Sequence, residues 1–228
     1  MTIIFDLDHT LFFADRFLAA LARSLRPYGI SASKFARTYA LLRRETNGRL
    51  AYSPERHLAA LAKNCVFNIR GARRAYETVL KRASRFLDPQ AAPMLQNLRA
   101  HGHRLVLLTR GETRFQNKKI AALDLHRYFH GILVSPHKKH LTLSRLPLGR
   151  GALVFINDNA KELHEIRRIL PHAILIERRR RGALRANNSW PTFRTLPAIG
   201  RAIERLHVDG RPFRPRRTPA ITLVKIIP

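Results

Sequence analysis

Two aspartates near the N-terminus, one residue apart, could act together on a ligand. Asp6 and Asp8 directly follow the apolar run Ile3–Phe5. Side chains alternate along extended backbone with a period of two, so both carboxylates can face one small volume. Adjacent carboxylates repel each other, and a divalent cation such as Mg²⁺ relieves the repulsion while keeping positions for water and phosphate oxygens. The alternative is a pair of turn-forming aspartates, and these two residues alone do not decide between the two.

Polar side chains also follow two later apolar runs. Thr109, Arg110 and Gly111 come after one of them, and they combine a hydroxyl donor, a cation and a closely approachable backbone. These are the parts of a phosphate cradle. Asp158 follows another run, behind Asn157. Three such groups at strand ends predict one shared site and weaken the turn interpretation of the aspartates.

From residue 88 onward, short strand-like runs alternate with helical patterns along the sequence. Short apolar runs separated by helical patterns are typical of a mostly parallel, Rossmann-like α/β sheet with helices on both faces. In such sheets ligands bind at the carboxyl ends of the strands. The predicted strands are Thr2–Leu7, Arg104–Leu108, Ile132–Val134, Ala152–Ile156 and Ala173–Ile176.

Residues 15–87 show a different pattern, with helical periodicity throughout. Gly29 and Gly48 are placed as helix ends, while Ser53-Pro54 is an N-cap followed by a first-turn proline. The spacing predicts four helices without a strand. We therefore expect an α/β core over residues 1–14 and 88–207, an inserted all-helical cap over 15–87, and a basic Pro/Arg-rich extension over 208–228.

The ordered motifs resemble those of the haloacid dehalogenase superfamily of phosphotransferases. The strand and DxDxT sequence of residues 3–11 are similar to its first motif, and Leu107-Leu108-Thr109 resembles the second. Lys138 or Lys139 would be the third, and residues 155–158 the fourth. The resemblance covers residues 1–176, and the helical insertion resembles the family's first class of cap.

The resemblance implies a role for each matched residue. Asp6 would be the nucleophile that forms an aspartyl-phosphate, and Asp8 the general acid and base. Thr109, Arg110 and a lysine would bind the phosphoryl oxygens. Mg²⁺ would be held by Asp6, the main-chain carbonyl of Asp8, and Asp158. Because a halide needs no proton on leaving, an acid at position 8 favours a phosphoryl substrate.

Two positions depart from a clean match to the family. Four lysines could supply the third motif, and we expect Lys138 ahead of Lys139, with Lys118 and Lys119 placed earlier in the preceding helix. Position 157 is Asn where many relatives carry Asp or Gly. Glu162, one helical turn on, could support the metal site.

Composition excludes several other classes of protein. The single Cys65 among 228 residues cannot form an intramolecular disulfide or a four-cysteine zinc site. No apolar run approaches the roughly 20 residues that span a bilayer. The N-terminus lacks a basic segment ahead of an apolar one, so we expect a cytoplasmic protein without a membrane partner.

The 43 Lys and Arg exceed the 15 Asp and Glu by 28, which makes nucleic-acid binding physically reasonable. Only nine of the cations are lysines, however, and an Arg-rich balance can reflect composition alone. The main hypothesis is a Mg²⁺-dependent hydrolase of small phosphomonoesters. The alternatives are a polynucleotide-end phosphatase that uses Arg178–Arg181 and Arg211–Arg217, and a nucleic-acid-binding protein with weak catalysis.

Overall fold

The computed structural model describes residues 1–44, 52–145, 151–180 and 189–208. In these ranges six strands form one sheet in the order β3-β2-β1-β4-β5-β6, and every strand pairing is parallel. The predicted fold class is confirmed. The strands are β1 (Thr2–Phe5), β2 (Arg104–Arg110), β3 (Gly131–Ser135), β4 (Leu153–Asn157), β5 (Ile174–Arg178) and β6 (Thr192–Phe193).

Helices fill the connections between the strands. The described residues contain α1 (Ala14–Ser24), α2 (Ala32–Leu42), α3 (Pro54–Ala62), α4 (Ile69–Lys81), α5 (Ala91–Ala100), α6 (Thr113–Ala122), α7 (Lys139–Leu143), α8 (Ala160–Ile169) and α9 (Leu196–Val208). Three short 3-10 helices span Arg26–Tyr28, Ala83–Phe86 and Leu125–Arg127. None of the helices in these ranges combines the length and apolar composition that a bilayer crossing needs.

The strands are apolar on both faces, as expected for a sheet covered on both sides. In β1, Ile3 and Phe5 join a core that includes residues of α5, α6 and α9, whereas Ile4 joins a second core with residues of α7 and α8. All three side chains are almost completely buried. The period-two alternation of β1 therefore supplies one side chain to each layer in turn.

The four helices predicted over residues 15–87 are present as α1 to α4. Three of them begin with a side-chain cap: Ser31, Ser53 and Asn68 accept hydrogen bonds from main-chain N–H groups in the first turn. Helix α4 packs on α1 and α3, and α2 packs on α3. This arrangement is consistent with a helical cap.

Two chain segments connect these helices to the sheet, and they run side by side. Phe12 and Leu87 form an antiparallel bridge, and the Asp88 N–H donates to the Leu11 carbonyl at 2.8 Å. Arg178 at the end of β5 joins both segments: it donates to the Thr10 carbonyl and pairs with the Asp88 carboxylate at 2.6 Å. Both charged side chains are buried.

The parallel topology brings the ends of the central strands to one edge of the sheet. Phe5 of β1 lies in register with Leu107 of β2 and Ile156 of β4. Asp6 and Asp158, just beyond their strands, and Thr109, near the end of β2, therefore lie in one region.

Several elements differ from the sequence-based expectation. Strand β6 pairs with β5 through only two residue pairs, so it has no apolar pattern long enough to detect. Helix α7 is five residues long, too short for a periodicity argument. Gly48, Arg181 and the Arg211–Arg217 segment lie outside the described residues.

Arg178→Met is expected to lower the free energy of unfolding by about 3 kcal/mol, because it leaves the buried Asp88 carboxylate without its closest cation. Urea denaturation of both proteins measures the difference. Arg201→Gln, at an exposed position of α9, is the control and should change stability by less than about 0.5 kcal/mol. Equal effects of the two substitutions would contradict a structural role for the pair.

Candidate active site

Asp6 lies at the centre of the polar cluster beyond β1. Its carboxylate is buried and accepts two hydrogen bonds, from the Lys139 ammonium at 2.6 Å and from the Thr10 hydroxyl at 3.2 Å. Lys139 also donates to Glu162 at 2.7 Å. Burial disfavours the ammonium, but the two carboxylates outweigh it and hold the pKa of Lys139 above its ordinary value. Lys139 therefore remains charged beside Asp6.

The position of Lys139 corrects the expectation for Lys138. Lys138 is the N-cap residue of α7, and its ammonium lies 3.0 Å from Glu165, at the side of the cluster. Lys139 is the first residue of the helix and is buried against Asp6. One residue corresponds to about 100° of rotation at a helix start. This rotation directs only the second lysine toward Asp6.

Glu162 completes the contacts of Lys139. It lies on α8, and its carboxylate also accepts a hydrogen bond from the Asn157 side-chain amide at 2.8 Å. Burial works against its ionisation, yet Lys139 and the Asn157 amide keep the pKa of Glu162 below its ordinary value. Asn157 thus fixes the orientation of a neighbouring carboxylate instead of adding a charge.

Asp8 has a different environment from Asp6. Both of its oxygens accept from the Lys119 ammonium at 2.8 Å, and one accepts from the Gln116 amide at 3.3 Å. The Lys119 side chain is only 3% exposed. Burial opposes ionisation of Asp8, but Lys119 outweighs it, so the pKa of Asp8 lies below its ordinary value. Each aspartate of the DxD pair has its own lysine.

Neither Gln116 nor this role of Lys119 was predicted from the sequence. The two residues are three apart on α6 and so share one face of the helix, a spacing that could have indicated a common contact. Gln116 also donates to the Arg110 carbonyl at 2.9 Å. A Cβ atom at Gly111 would lie 2.6 Å from the Gln116 amide nitrogen. Glycine at position 111 thus provides the space that Gln116 occupies.

Thr109 and Arg110 end β2 on the side of β1 where Asp8 lies. The Thr109 hydroxyl is buried, and it has no hydrogen-bond partner among the described residues. A buried donor without a partner is costly, and a phosphoryl oxygen in this region would satisfy it. Arg110 is half-buried, and its charge contributes to lowering the pKa of Glu162.

Asp158 follows β4, and its carboxyl group is one that a bound cation would stabilise in the ionised form. Burial and the nearby Asp6 carboxylate raise its pKa to about 8. In the described ranges no cluster of three or more His, Cys, Asp or Glu side chains forms a complete metal site. Mg²⁺ needs only one or two carboxylates beside water and substrate oxygens. Asp6, Asp158 and the carbonyl of Asp8 are such a set of hard oxygen donors, so the residues fit this ion.

His9 lies in the turn after β1, between Asp8 and Thr10. Its φ is 61°, a left-handed conformation that is uncommon for residues other than glycine. The turn is held by N–H groups of Thr10, Leu11 and Phe12, all of which donate to the Leu7 carbonyl. The loop therefore reverses sharply after Asp8.

A small cavity of about 100 Å³ lies between this loop, α1, the end of α2 and Tyr52. Asp8, Arg110 and Gln116 line it from the sheet side. Tyr39 and Arg43 are among the residues that line it from α2 and the end of that helix. A ligand at Asp8 would thus contact aromatic and cationic groups from the inserted helices.

The sequence matches the family model of haloacid dehalogenase-like hydrolases over residues 1–163, and the chain belongs to this family of hydrolases. Four groups at the sheet edge follow one another in chain order: the acid Asp6, the hydroxyl of Thr109, the ammonium of Lys139 and the acid Asp158. Sequence comparison finds no match among curated proteins.

Solved structures share the fold at low sequence identity. A haloacid dehalogenase-like hydrolase from Burkholderia xenovorans is 23% identical with a TM-score of 0.67, over 90% of this chain and 96% of that one. The HAD hydrolase YfnB from Bacillus subtilis, described as bound to magnesium, is 17% identical with a TM-score of 0.59, over 91% and 97%. The L-2-haloacid dehalogenase of Xanthobacter autotrophicus is 14% identical with a TM-score of 0.62, over 89% and 98%.

Lys119→Met is expected to destabilise the protein at pH 7 by roughly 1–3 kcal/mol, because it removes the cation that compensates Asp8. The pKa of Asp8 is lowered in the folded state, so its stabilising effect is present above about pH 4 and disappears as the pH falls further. Urea denaturation at pH 7 and pH 3.5 should therefore show a smaller difference at the lower pH.

Lys118→Met is the matched control for this measurement. Lys118 is the preceding residue of α6, its side chain is 43% exposed, and its ion pair with Glu55 spans 3.8 Å. An exposed pair of this kind contributes about 0–1 kcal/mol. If both lysine variants lost the same stability, the contact between Lys119 and Asp8 would not be what stabilises this region.

Proposed function

We propose that this hydrolase cleaves phosphomonoesters through an aspartyl-phosphate on Asp6, with Mg²⁺ as cofactor. The observation that carries the proposal is the pairing of two buried or half-buried aspartates with two separate lysines at one sheet edge. A nucleophile next to a second acid suits a leaving group that needs a proton, as an alkoxide does and a halide does not. The dehalogenases that share the fold make haloacids the alternative substrate.

Asp6 is the proposed nucleophile. One of its oxygens attacks phosphorus, the bond from phosphorus to the ester oxygen breaks, and the bonding electrons go to that oxygen. Lys139 and the Thr109 hydroxyl are the groups suited to hold the transferring phosphoryl oxygens. Arg110, from the adjacent position, adds positive charge. Mg²⁺, held by Asp6, Asp158 and the Asp8 carbonyl, would neutralise charge on the phosphoryl group.

Asp8 is the proposed proton carrier. In the arrangement described it is ionised beside Lys119, which is the form that accepts a proton from the water attacking the aspartyl-phosphate. The first step requires the protonated form, which donates to the departing alkoxide. A phosphate dianion bound nearby adds negative charge and so raises the pKa of Asp8 toward that form. One carboxyl can then serve both half-reactions.

The polynucleotide alternative assigned backbone binding to Arg178–Arg181 and to Arg211–Arg217, and Arg181 and the second segment lie outside the described residues. Arg178 is buried against Asp88, and Arg179 is paired with Glu177 at 2.6 Å. Two of the four arginines are therefore engaged within the protein itself. This geometry favours a small phosphorylated substrate as the primary proposal.

Para-nitrophenyl phosphate hydrolysis tests the nucleophile. We expect Mg²⁺-dependent turnover by the wild type and a loss of at least about 10³-fold in Asp6→Asn, since an amide is a poor nucleophile toward phosphorus. Adding a chelator to the wild type should abolish turnover, and restoring Mg²⁺ should recover it. Metal-independent release of chloride from 2-chloropropionate, without phosphate release from the ester, would assign the protein to the dehalogenases instead.

Lys139→Met and Lys138→Met separate the two candidate lysines of the third motif. The first substitution removes the ammonium beside Asp6, and kcat should fall by roughly 10²–10³-fold. The second removes a half-exposed partner of Glu165 and should change kcat by less than about threefold. Steady-state kinetics with the same ester, together with circular dichroism to verify folding, measure both. A larger loss for Lys138→Met would return that residue to the site.

A further inference from the structure

A second and larger cavity adjoins the carboxylate cluster on the side of β4 and β5. Its volume is about 470 Å³, within the range of small-molecule sites. His9 lines both this cavity and the smaller one at Asp8, and Asp158 also lines it. A ligand held at the proposed metal and phosphoryl site could therefore extend into it.

Arginine dominates the lining of this cavity. Arg16 reaches it from α1, Arg178 to Arg180 reach it from the end of β5, and Arg194 reaches it from the segment after β6. The acidic residues of the lining are Asp15 and Asp158. Asp15 lies 3.8 Å from His9.

Two of these arginines have carboxylate partners of their own outside the lining. Arg178 pairs with Asp88, and Arg179 donates two hydrogen bonds to Glu177. Their charges are largely compensated within the protein.

Arg16 and Arg180 differ from them. Arg16 is exposed and makes no ion pair with any described residue, while Arg180 lies 3.7 Å from Asp88, a carboxylate already bound more closely by Arg178. The guanidinium of Arg180 also donates hydrogen bonds to the carbonyl oxygens of Thr10 at 3.3 Å and Phe12 at 3.4 Å. Both guanidinium groups lie against Phe13, 4.5 and 3.9 Å from its ring centroid. The ring thus positions two cations, of which Arg16 has no ion-pair partner among the described residues and Arg180 shares the Asp88 carboxylate with Arg178.

We propose that this arginine cavity binds a second anionic group of the substrate, a phosphate or a carboxylate carried by the leaving group. Planar guanidinium groups bind either anion through paired hydrogen bonds. The inference rests on the proposed phosphomonoesterase function and narrows it to esters with two anionic groups. Burial and the neighbouring Arg178 lower the pKa of Arg180 to about 10, so it keeps its charge at neutral pH and an anion would stabilise that charge.

Calorimetric titration of the full chain carrying Asp6→Asn tests binding without turnover. The probes are fructose 1,6-bisphosphate against fructose 1-phosphate, and 3-phosphoglycerate against glycerol 3-phosphate, in Mg²⁺ and about 0.15 M salt, where surface charges are screened beyond roughly 8 Å. At least one doubly anionic probe should bind about tenfold more tightly than its partner. The pair that shows this preference tells whether the second anion is a phosphate or a carboxylate.

Arg16→Gln should remove most of that preference. Arg23→Gln is the matched control, because Arg23 is an exposed arginine on the same helix and does not line the cavity. Arg16 is exposed, so its loss should leave the melting temperature unchanged, and Arg180→Gln then repeats the test at the second guanidinium group beside Phe13. Equal affinity for the members of both probe pairs, or equal weakening by Arg16→Gln and Arg23→Gln, overturns the proposal.

Kinetics with the wild-type nucleophile separate this inference from the proposed function. If no ester is hydrolysed but the Arg16-dependent preference persists, the phosphatase proposal fails and the anion site stands. If esters are hydrolysed and Arg16→Gln leaves the ratio of kcat/KM between the members of each probe pair unchanged, the anion site fails and the phosphatase proposal stands.

Discussion

The Lys139 ammonium lies 2.6 Å from Asp6 and 2.7 Å from Glu162, and this compensation of buried acids at one sheet edge governs how the helices pack around it. The sheet topology brings acids from separate parts of the chain together, and beside burial the Glu162 carboxylate raises the pKa of both Asp6 and Asp158. Lys139 offsets part of this charge from α7, and Lys119 offsets Asp8 from α6. Helices on both faces of the sheet therefore have to deliver an ammonium group to the same edge, which fixes how they pack against it.

Most of the fold could be predicted from the sequence because burial on both faces leaves a strong local signal. The runs that became β1, β2 and β4 are apolar and bounded by polar residues, and the helices after β1 carry caps such as Ser53. Strand β6 could not be predicted, since two residues that pair at a sheet edge need no apolar pattern. The division into core and cap remains a prediction that the helix packing supports.

The candidate site was predictable where its residues end strands, and less so where they lie on helices. Asp6, Asp8, Thr109 and Asp158 occupy strand ends, whose position follows from topology alone. The choice between Lys138 and Lys139 depended on the starting phase of a five-residue helix, which no local pattern determines. Gln116 and Lys119 required knowledge of which face of α6 meets the loop after β1, and that is set by tertiary packing.

The bridge between Phe12 and Leu87 has a mechanical consequence. The helical unit is joined to the sheet by two segments that touch each other, and Arg178 anchors both of them through Thr10 and Asp88. Two attachments this close define a single axis. Any displacement of the helices relative to the sheet would turn about these two segments, and it would move the aromatic and cationic side chains of α2 toward or away from Asp8.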